Sequence, residues 1–239
     1  MRIANLDSIH YRRVIQLSHT IHSDIPLWEG DPIVQFNDVA TIEHDGYHLR
    51  QFTIGEHSAT HMNAPSSFFD DGQGIDSYSP ETLIHPIIVI DVSEKVKTDP
   101  NYVISLDDIQ IWEQQYGAIL TGTLALFYTG WQHRWHTPKD FLNIDSTGIA
   151  NFPGIGEQTT HFLLTKRHIT GIGIDTHGVD PGKDITYATN KQILSQHGIV
   201  LECLTNLDQL PAKGATLVIG ILSLHQGSGS PVSAMAFIN

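Results

Sequence analysis

The chain has 239 residues, 40% hydrophobic and 16% charged, the make-up of a folded domain with a full core rather than of a disordered segment. Its formal charge of −13 argues against a nucleic-acid partner, because phosphate binding needs clustered Lys and Arg and no basic stripe is present. No apolar run approaches the roughly 20 residues that span a bilayer, Met1–Asp7 lacks the apolar stretch of a secretory leader, and Cys203 is alone, so a cytoplasmic protein with no membrane contact is expected.

No repeat, low-complexity tract or Pro/Gly/Ser linker divides the sequence, which reads as a single domain over 1–239. The first 70 residues carry many turn residues and alternating β-branched positions, the pattern of antiparallel strands. Short runs rich in Val, Ile and Leu then predict buried strands at 85–91, 123–128, 169–175, 198–204 and 215–222. Between them lie helical patterns. Ser105 and Asp108 form a capping box, Ile109, Trp112 and Tyr116 follow at helical spacing, and Gly117 ends the segment. Further helices are predicted over 156–167 and 189–196. Strands and helices that interleave only in the later part indicate an α/β fold with a β-rich N-terminal portion.

The segment from Glu56 to Phe68 carries the chemistry. His57 and His61 stand four residues apart, and the side-chain oxygen of Asn63 follows two residues on. Two imidazoles and an amide oxygen form a reasonable ligand set for a transition metal. On a flat strand, four residues at about 3.3 Å each would separate the two histidines by roughly 13 Å. Thr60, Gly55 and Pro65 disfavour a long helix. A tight turn or bulge is left, for which Ser58 and Ala59 are small enough, and an extended stretch after it would point His61 and Asn63 to the same side. The plain alternative is a pair of loop histidines.

The motif resembles the signature H-x-G-T-H-x-D-x-P-x-H of the cyclase family, which includes kynurenine formamidases and isatin hydrolases. His57, Thr60, His61 and Pro65 match; Ala59, Asn63 and Ser67 do not. The resemblance runs through Leu17-Ser18-His19, Pro26 to Pro32, Tyr128 to Trp131, Gly173 to Thr176, Glu202 to Leu207 and Gly227 to Pro231. It implies a swivelling β/β/α (cyclase-like) domain, a homodimer or homotetramer, and a small-molecule substrate. It also implies metal ligands at His57, His61 and Asn63, where the family has an aspartate in the last place. Ser67 stands where the family has its acid/base histidine, and Asn190 where a later histidine can serve a second metal.

These departures reshape the expected chemistry. Without a bridging carboxylate a two-metal site is not expected, and one divalent ion, zinc or manganese, is. Neutral ligands hold it less tightly but leave it the stronger Lewis acid. Ser67 lacks an imidazole's acid/base capacity at neutral pH and is given the task of orienting water or substrate. Glu202 becomes the surviving general base or fourth ligand. Trp28, Asn190 and His225 are placed in the substrate pocket. Asp175, His177 and Asp180 are a weaker constellation, read equally as turn chemistry. Two functions stay open: a metal-dependent hydrolase of a C–N amide or lactone in a small cyclic or aromatic molecule, and a non-catalytic binding or scaffold protein on the same fold.

Overall fold

The computed structural model describes residues 8–239; Met1–Asp7, read above for the lack of a leader, lie outside the described residues. Strand β1 (Arg13–Gln16) leads to a hairpin of β2 (Gln35–Ala40) and β3 (Leu49–Thr53), joined through the short helix α1 (Ile42–Asp45). Then come β4 (His61–Asn63), β5 (Ile84–Asp91), α2 (Ser93–Thr98), β6 (Val103–Ile104), α3 (Leu106–Tyr116), β7 (Leu124–Tyr128) and α4 (Pro138–Leu142). The chain continues through β8 (Gly154–Ile155), α5 (Glu157–Phe162), β9 (Gly171–Ile174), α6 (Ala188–Leu194), β10 (Ile199–Glu202), β11 (Lys213–Ile221) and β12 (Gly229–Ile238).

The main sheet runs β1-β12-β11-β5-β7-β9-β10-β4, and β4 also pairs with β12. That last pairing closes seven strands into a barrel, with β1 lying beside β4 along the same edge of β12. The four strands β5, β7, β9 and β10 are parallel, joined by crossovers that carry the helices, and the remainder are antiparallel. The result is a mixed α/β fold built on a closed β-barrel.

Period-two alternation sorts the strand residues into two cores. Ile87, Val89, Leu124, Leu126, Ile199, Leu201 and Met62 fill the barrel. Ile88, Ile90, Ala125, Phe127, Ile172, Ile174 and Val200 face outward, where Ile109, Trp112, Leu163 and Ile193 of the helical layer cover them. Each such side chain contributes about 1.5–3 kcal/mol when fully buried. The same alternation puts His61, Asn63 and Glu202 on the outer face, because Met62 and Leu201 between them point in. The barrel thus fixes the site's strands and the helical layer roofs it.

The five predicted strands all form, as does the capping box at Ser105 and Asp108, with α3 ending at Gly117. The predicted helix over 156–167 changes character midway: α5 gives way to a π-helical turn at Leu163–Arg167, which His168 ends in the left-handed region. The sequence reading missed β12, the longest strand. Two of its three buried core side chains are alanines (Ala234 and Ala236, with Val232), so the run lacks the bulky apolar signal of the others.

Candidate metal and catalytic site

The turn expected before His61 is present. Ser58 N–H donates to Gly55 O (3.3 Å), and Ala59 sits in the left-handed region at φ 56°, the place where the family signature has glycine. An L-residue there costs about 1–2 kcal/mol. Thr60 anchors the turn: its hydroxyl donates to Cys203 O (2.5 Å) and accepts from His19 N–H (2.9 Å). The chain then enters β4, where His61 lies directly opposite Glu202 across the β4–β10 ladder and Asn63 opposite Val200.

The polarity of the hydrogen bonds at His61 is forced. Nδ1 faces the carbonyl of Ala59 at 2.8 Å, and a carbonyl only accepts, so Nδ1 carries a hydrogen. Nε2 lies 3.0 Å from Glu202 Oε2. In a neutral ring that nitrogen would present a lone pair to a carboxylate oxygen, so a positive charge must stand between them, as a proton or a metal ion. Glu202 is 6% exposed. Burial alone would raise its pKa, but the hydrogen bond and charge of His61, with Val179 N–H (3.1 Å) and the Asn190 amide (3.3 Å) on Oε1, hold it at about 2.

His57 shows the same frustration. Ser228 Oγ lies 2.7 Å from Glu56 Oε2, to which its hydrogen goes, so it accepts from His57 Nε2–H at 2.9 Å. Nδ1 is left facing Asn63 Oδ1 at 2.9 Å. The orientation of Asn63 follows from a chain that starts at Asp180. Asn190 Nδ2 donates to Asp180 Oδ2 (2.9 Å), so Asn190 Oδ1 accepts from Asn63 Nδ2 (3.0 Å), and Asn63 Oδ1 turns to His57. Burial, then the charge of His61, lowers the pKa of His57 against the pull of Asn63, Glu202 and Glu56. A neutral His57 therefore also aims a lone pair at an oxygen.

The sequence profile of the family described as "Putative cyclase" matches residues 15–181. The chain belongs to the cyclase family. It is 32% identical to an isatin hydrolase of Roseibium aggregatum over 88% of this chain and 83% of that one. It is 27% identical to a kynurenine formamidase of Bacillus cytotoxicus, over 92% and 95% of the two chains. Among solved structures, isatin hydrolase A from Ralstonia solanacearum superposes with a TM-score of 0.89 at 29% identity, covering 95% of this chain and 92% of that one.

Against the cyclase signature, the donors of this chain fall into two close pairs, each suited to one positive charge between its members. His57 Nδ1, Asn63 Oδ1, His61 Nε2 and Glu202 Oε2 are four lone-pair atoms brought together in two close pairs, each lacking a positive charge between its members. The remote nitrogens are fixed by Ser228 and Ala59, the outer support that metal-binding imidazoles need. Among the described residues no three His, Cys, Asp or Glu side chains gather as a metal cluster. His57, His61 and Glu202 therefore do not gather as one three-ligand cluster, and the amide at Asn63 leaves the site poorer in charge than the signature.

The remaining predicted residues divide. Asn190 is buried inside the network, where it orients Asn63. Trp28, 37% exposed, lies at the surface with its ring 5.2 Å from that of His177. The Ser67 hydroxyl donates to Ala64 O (2.6 Å) within its own 3-10 turn. His225, expected in the pocket, has its side chain 87% exposed and bonded to Asp76 (3.2 Å). The polar Gln226 and flanking glycines keep that loop at the surface, and the part of it that reaches the site is Ser228.

The sequence reading gave Glu56 and Ser228 no role, and it placed Asp180 only in the weaker constellation with Asp175 and His177. Asp180 accepts from Thr189 N–H (2.6 Å) and Asn190 N–H (3.2 Å), closing the first turn of α6, and burial pushes its pKa up to about 6. A carboxylate nine residues before a predicted helix gives no local sign of that task. Asp175, at the end of β9, is also raised to about 6 by burial, but it accepts from Thr129 and Gln132 and holds the loop after β7.

Proposed function

We propose that the protein is a metal-dependent hydrolase cleaving a C–N amide or lactone bond in a small cyclic or aromatic molecule. The observation that carries the reading is the His61–Glu202 contact, a buried nitrogen and oxygen 3.0 Å apart whose other partners call for a positive charge between them. The names of the relatives, an isatin hydrolase and a kynurenine formamidase, supply the substrate class. His57, His61 and Asn63 would hold a single zinc or manganese ion beside Glu202. When bound there, such an ion supplies Lewis acidity, polarising a carbonyl and lowering the pKa of water.

The chain's own groups do the rest. Ser228 and Ala59 O fix the two imidazoles, and the Asp180–Asn190–Asn63 chain aims the amide oxygen. Glu202, ionised, balances positive charge at His61 and offers Oε2 as acceptor for a water proton. Ser67, its proton committed to Ala64, offers lone pairs that can orient water or a substrate N–H. Trp28, at the surface beside His177, is assigned to the substrate side of the site, and Asn190 acts from within the network.

The reading includes a homo-oligomer, dimer or tetramer, and a cytoplasmic setting, and it assigns the barrel to the swivelling β/β/α class. Support for assembly comes from the β2–β3 hairpin, where Val39, Leu49 and Phe52 are exposed together with Ile42 and Tyr47. An apolar patch of that kind marks an interaction surface.

Protein purified without chelator is expected to retain zinc or manganese and to hydrolyse isatin or an N-formyl aniline, with both lost in His61→Ala. Absence of bound metal together with no activation by added Zn²⁺ or Mn²⁺ overturns the reading. Tight binding of such molecules without turnover would assign the chain to non-catalytic ligand binding on the same fold.

A further inference from the structure

We propose that a second small-molecule site, for an amine carried on an apolar body, lies at the carboxyl ends of β5 and β7, apart from the His61–Glu202 centre. A cavity of about 340 Å³ opens there, within the range that holds small ligands. Between β5 and β10 lie β7 and β9, so three strand spacings, roughly 14 Å along the sheet, separate the cavity from the strand of Glu202. None of His57, His61, Asn63 and Glu202 lines it. The proposal is independent of the hydrolase reading.

The opening follows from the topology. β11 pairs with β5 only as far as Ile88, and Val89 N–H makes a last contact with Ala212 O (3.0 Å). Beyond it β5 runs on to Asp91, paired with Tyr128 of β7, with α3 alongside. Trp112 Nε1–H donates to Val89 O (2.8 Å), which fixes the indole against the strand. The ring of Tyr116 lies 5.1 Å from it, and Ile111 and Leu210 extend the apolar lining.

The polar part of the lining is acidic. Asp91 and Asp208 are exposed, and each has one oxygen engaged: Ser93 N–H donates to Asp91 Oδ1 (2.9 Å) and Gln132 Nε2–H to Asp208 Oδ1 (2.7 Å). Their second oxygens have no hydrogen-bond partner among the described residues. Lys95, the one cation among the described lining residues, is bonded to Asp108 and to Tyr102 Oη (3.2 Å). Burial, and then the charges of Asp208, Asp175, Asp91 and Glu94, push the Tyr128 hydroxyl up to about 12, as a negative field requires. Two open carboxylates beside an aromatic and aliphatic surface select a cation with an apolar body over an anion of the same shape. The ammonium meets Asp91 and Asp208, and the body covers Trp112, Ile111 and Leu210.

Calorimetric titration of the full chain with phenethylamine, 2-phenylethanol and 3-phenylpropionate tests the site. The amine is expected to bind at least about 10-fold tighter than the alcohol, the carboxylate not to bind, and added salt to weaken the amine alone. Asp91→Asn and Asp208→Asn keep an oxygen for Ser93 and Gln132, and each should weaken the amine about 10-fold. Ile111 is 56% exposed, so Ile111→Lys should fold as the parent does, set its own ammonium in the cavity and abolish amine binding. No binding of the amine, or equal affinity for amine and alcohol, overturns the assignment. So does parent-like amine affinity in Ile111→Lys, the result that binding at the His61–Glu202 centre would give.

Discussion

Asn63 Nδ2 donates to Asn190 Oδ1 at 3.0 Å, across 127 positions of sequence. Each of these asparagines departs from the family's ligand pattern, and together they form one amide pair. Asp180 fixes its polarity, because a carboxylate only accepts and so draws the Asn190 amide nitrogen to itself. Restoring only one of the two family residues should therefore fail. In metal-free protein, Asn63→Asp sets a carboxylate oxygen against Asn190 Oδ1 and is expected to cost about 1–3 kcal/mol. Asn190→His in the same chain returns a donor, so the double variant should be more stable than the sum of the singles by about 0.5–3 kcal/mol. Urea denaturation of the four proteins measures this; strict additivity would show that the pair is incidental.

The His61–Glu202 contact is buried on both sides, with side-chain exposures of 2% and 7%. Removing either partner strands the other's charge. His61→Ala and Glu202→Ala are each expected to lower the stability of the metal-free protein by about 3–5 kcal/mol, and the double variant to lose much less than the two together. Chemical denaturation with and without Zn²⁺ reads the result. Independent, small losses would mean that water screens the pair.

The proximity of the two histidines and Asn63 was legible because its logic is local. His57, His61 and Asn63 lie within one turn and one short strand, and strand alternation alone puts His61 and Asn63 on one face. Glu202 was legible through its apolar neighbours, which imply a buried carboxylate and hence a partner. The supports were not. Glu56 and Ser228 meet across 172 positions, through the closure of β12 onto β4 that no sequence period announces. Ala59 is instructive for a different reason. The signature's glycine there meets a left-handed backbone requirement, and this chain tolerates alanine because Thr60 and the strand behind it clamp the turn.

Gly229 supplies a further test of that closure. A Cβ built there would lie 2.7 Å from His57 Cε1 and 2.9 Å from Met62 O, closer than side chains approach. Gly229→Ala is expected to displace the His57 ring, weakening metal binding about 10–100-fold, the usual cost of disturbing a ligand's support. Gly220→Ala, whose Cβ would meet nothing nearer than 3.4 Å, is the matched control in the neighbouring strand. Calorimetric titration of both variants with Zn²⁺ decides; parent affinity in Gly229→Ala would show that His57 is not a ligand.

Buried histidines make the stability of the metal-free protein depend on pH above the range of ordinary carboxylates. His19, stacked on Trp135 at 3.9 Å, is lowered to about 4 by burial and then by the charge of His136. His57, His85, His177 and His197 are also lowered, in each case chiefly by burial. A histidine with a depressed folded pKa binds fewer protons folded than unfolded, so its stabilisation is complete above about 6.5 and is lost as pH falls toward the folded value. Asp175 and Asp180, raised to about 6, act in the opposite direction over the same window, because the folded state binds their protons first. The histidines and the two aspartates oppose each other between about pH 6.5 and 4, so the effect to isolate is that of His19 alone. Glu202, held at about 2, adds a second loss below about pH 4.5. His19→Phe keeps the stack on Trp135 and removes one titration, so its melting temperature should drop less than the parent's between about pH 7.5 and 5. An equal drop in both proteins would show that His19 ionises freely in the folded state.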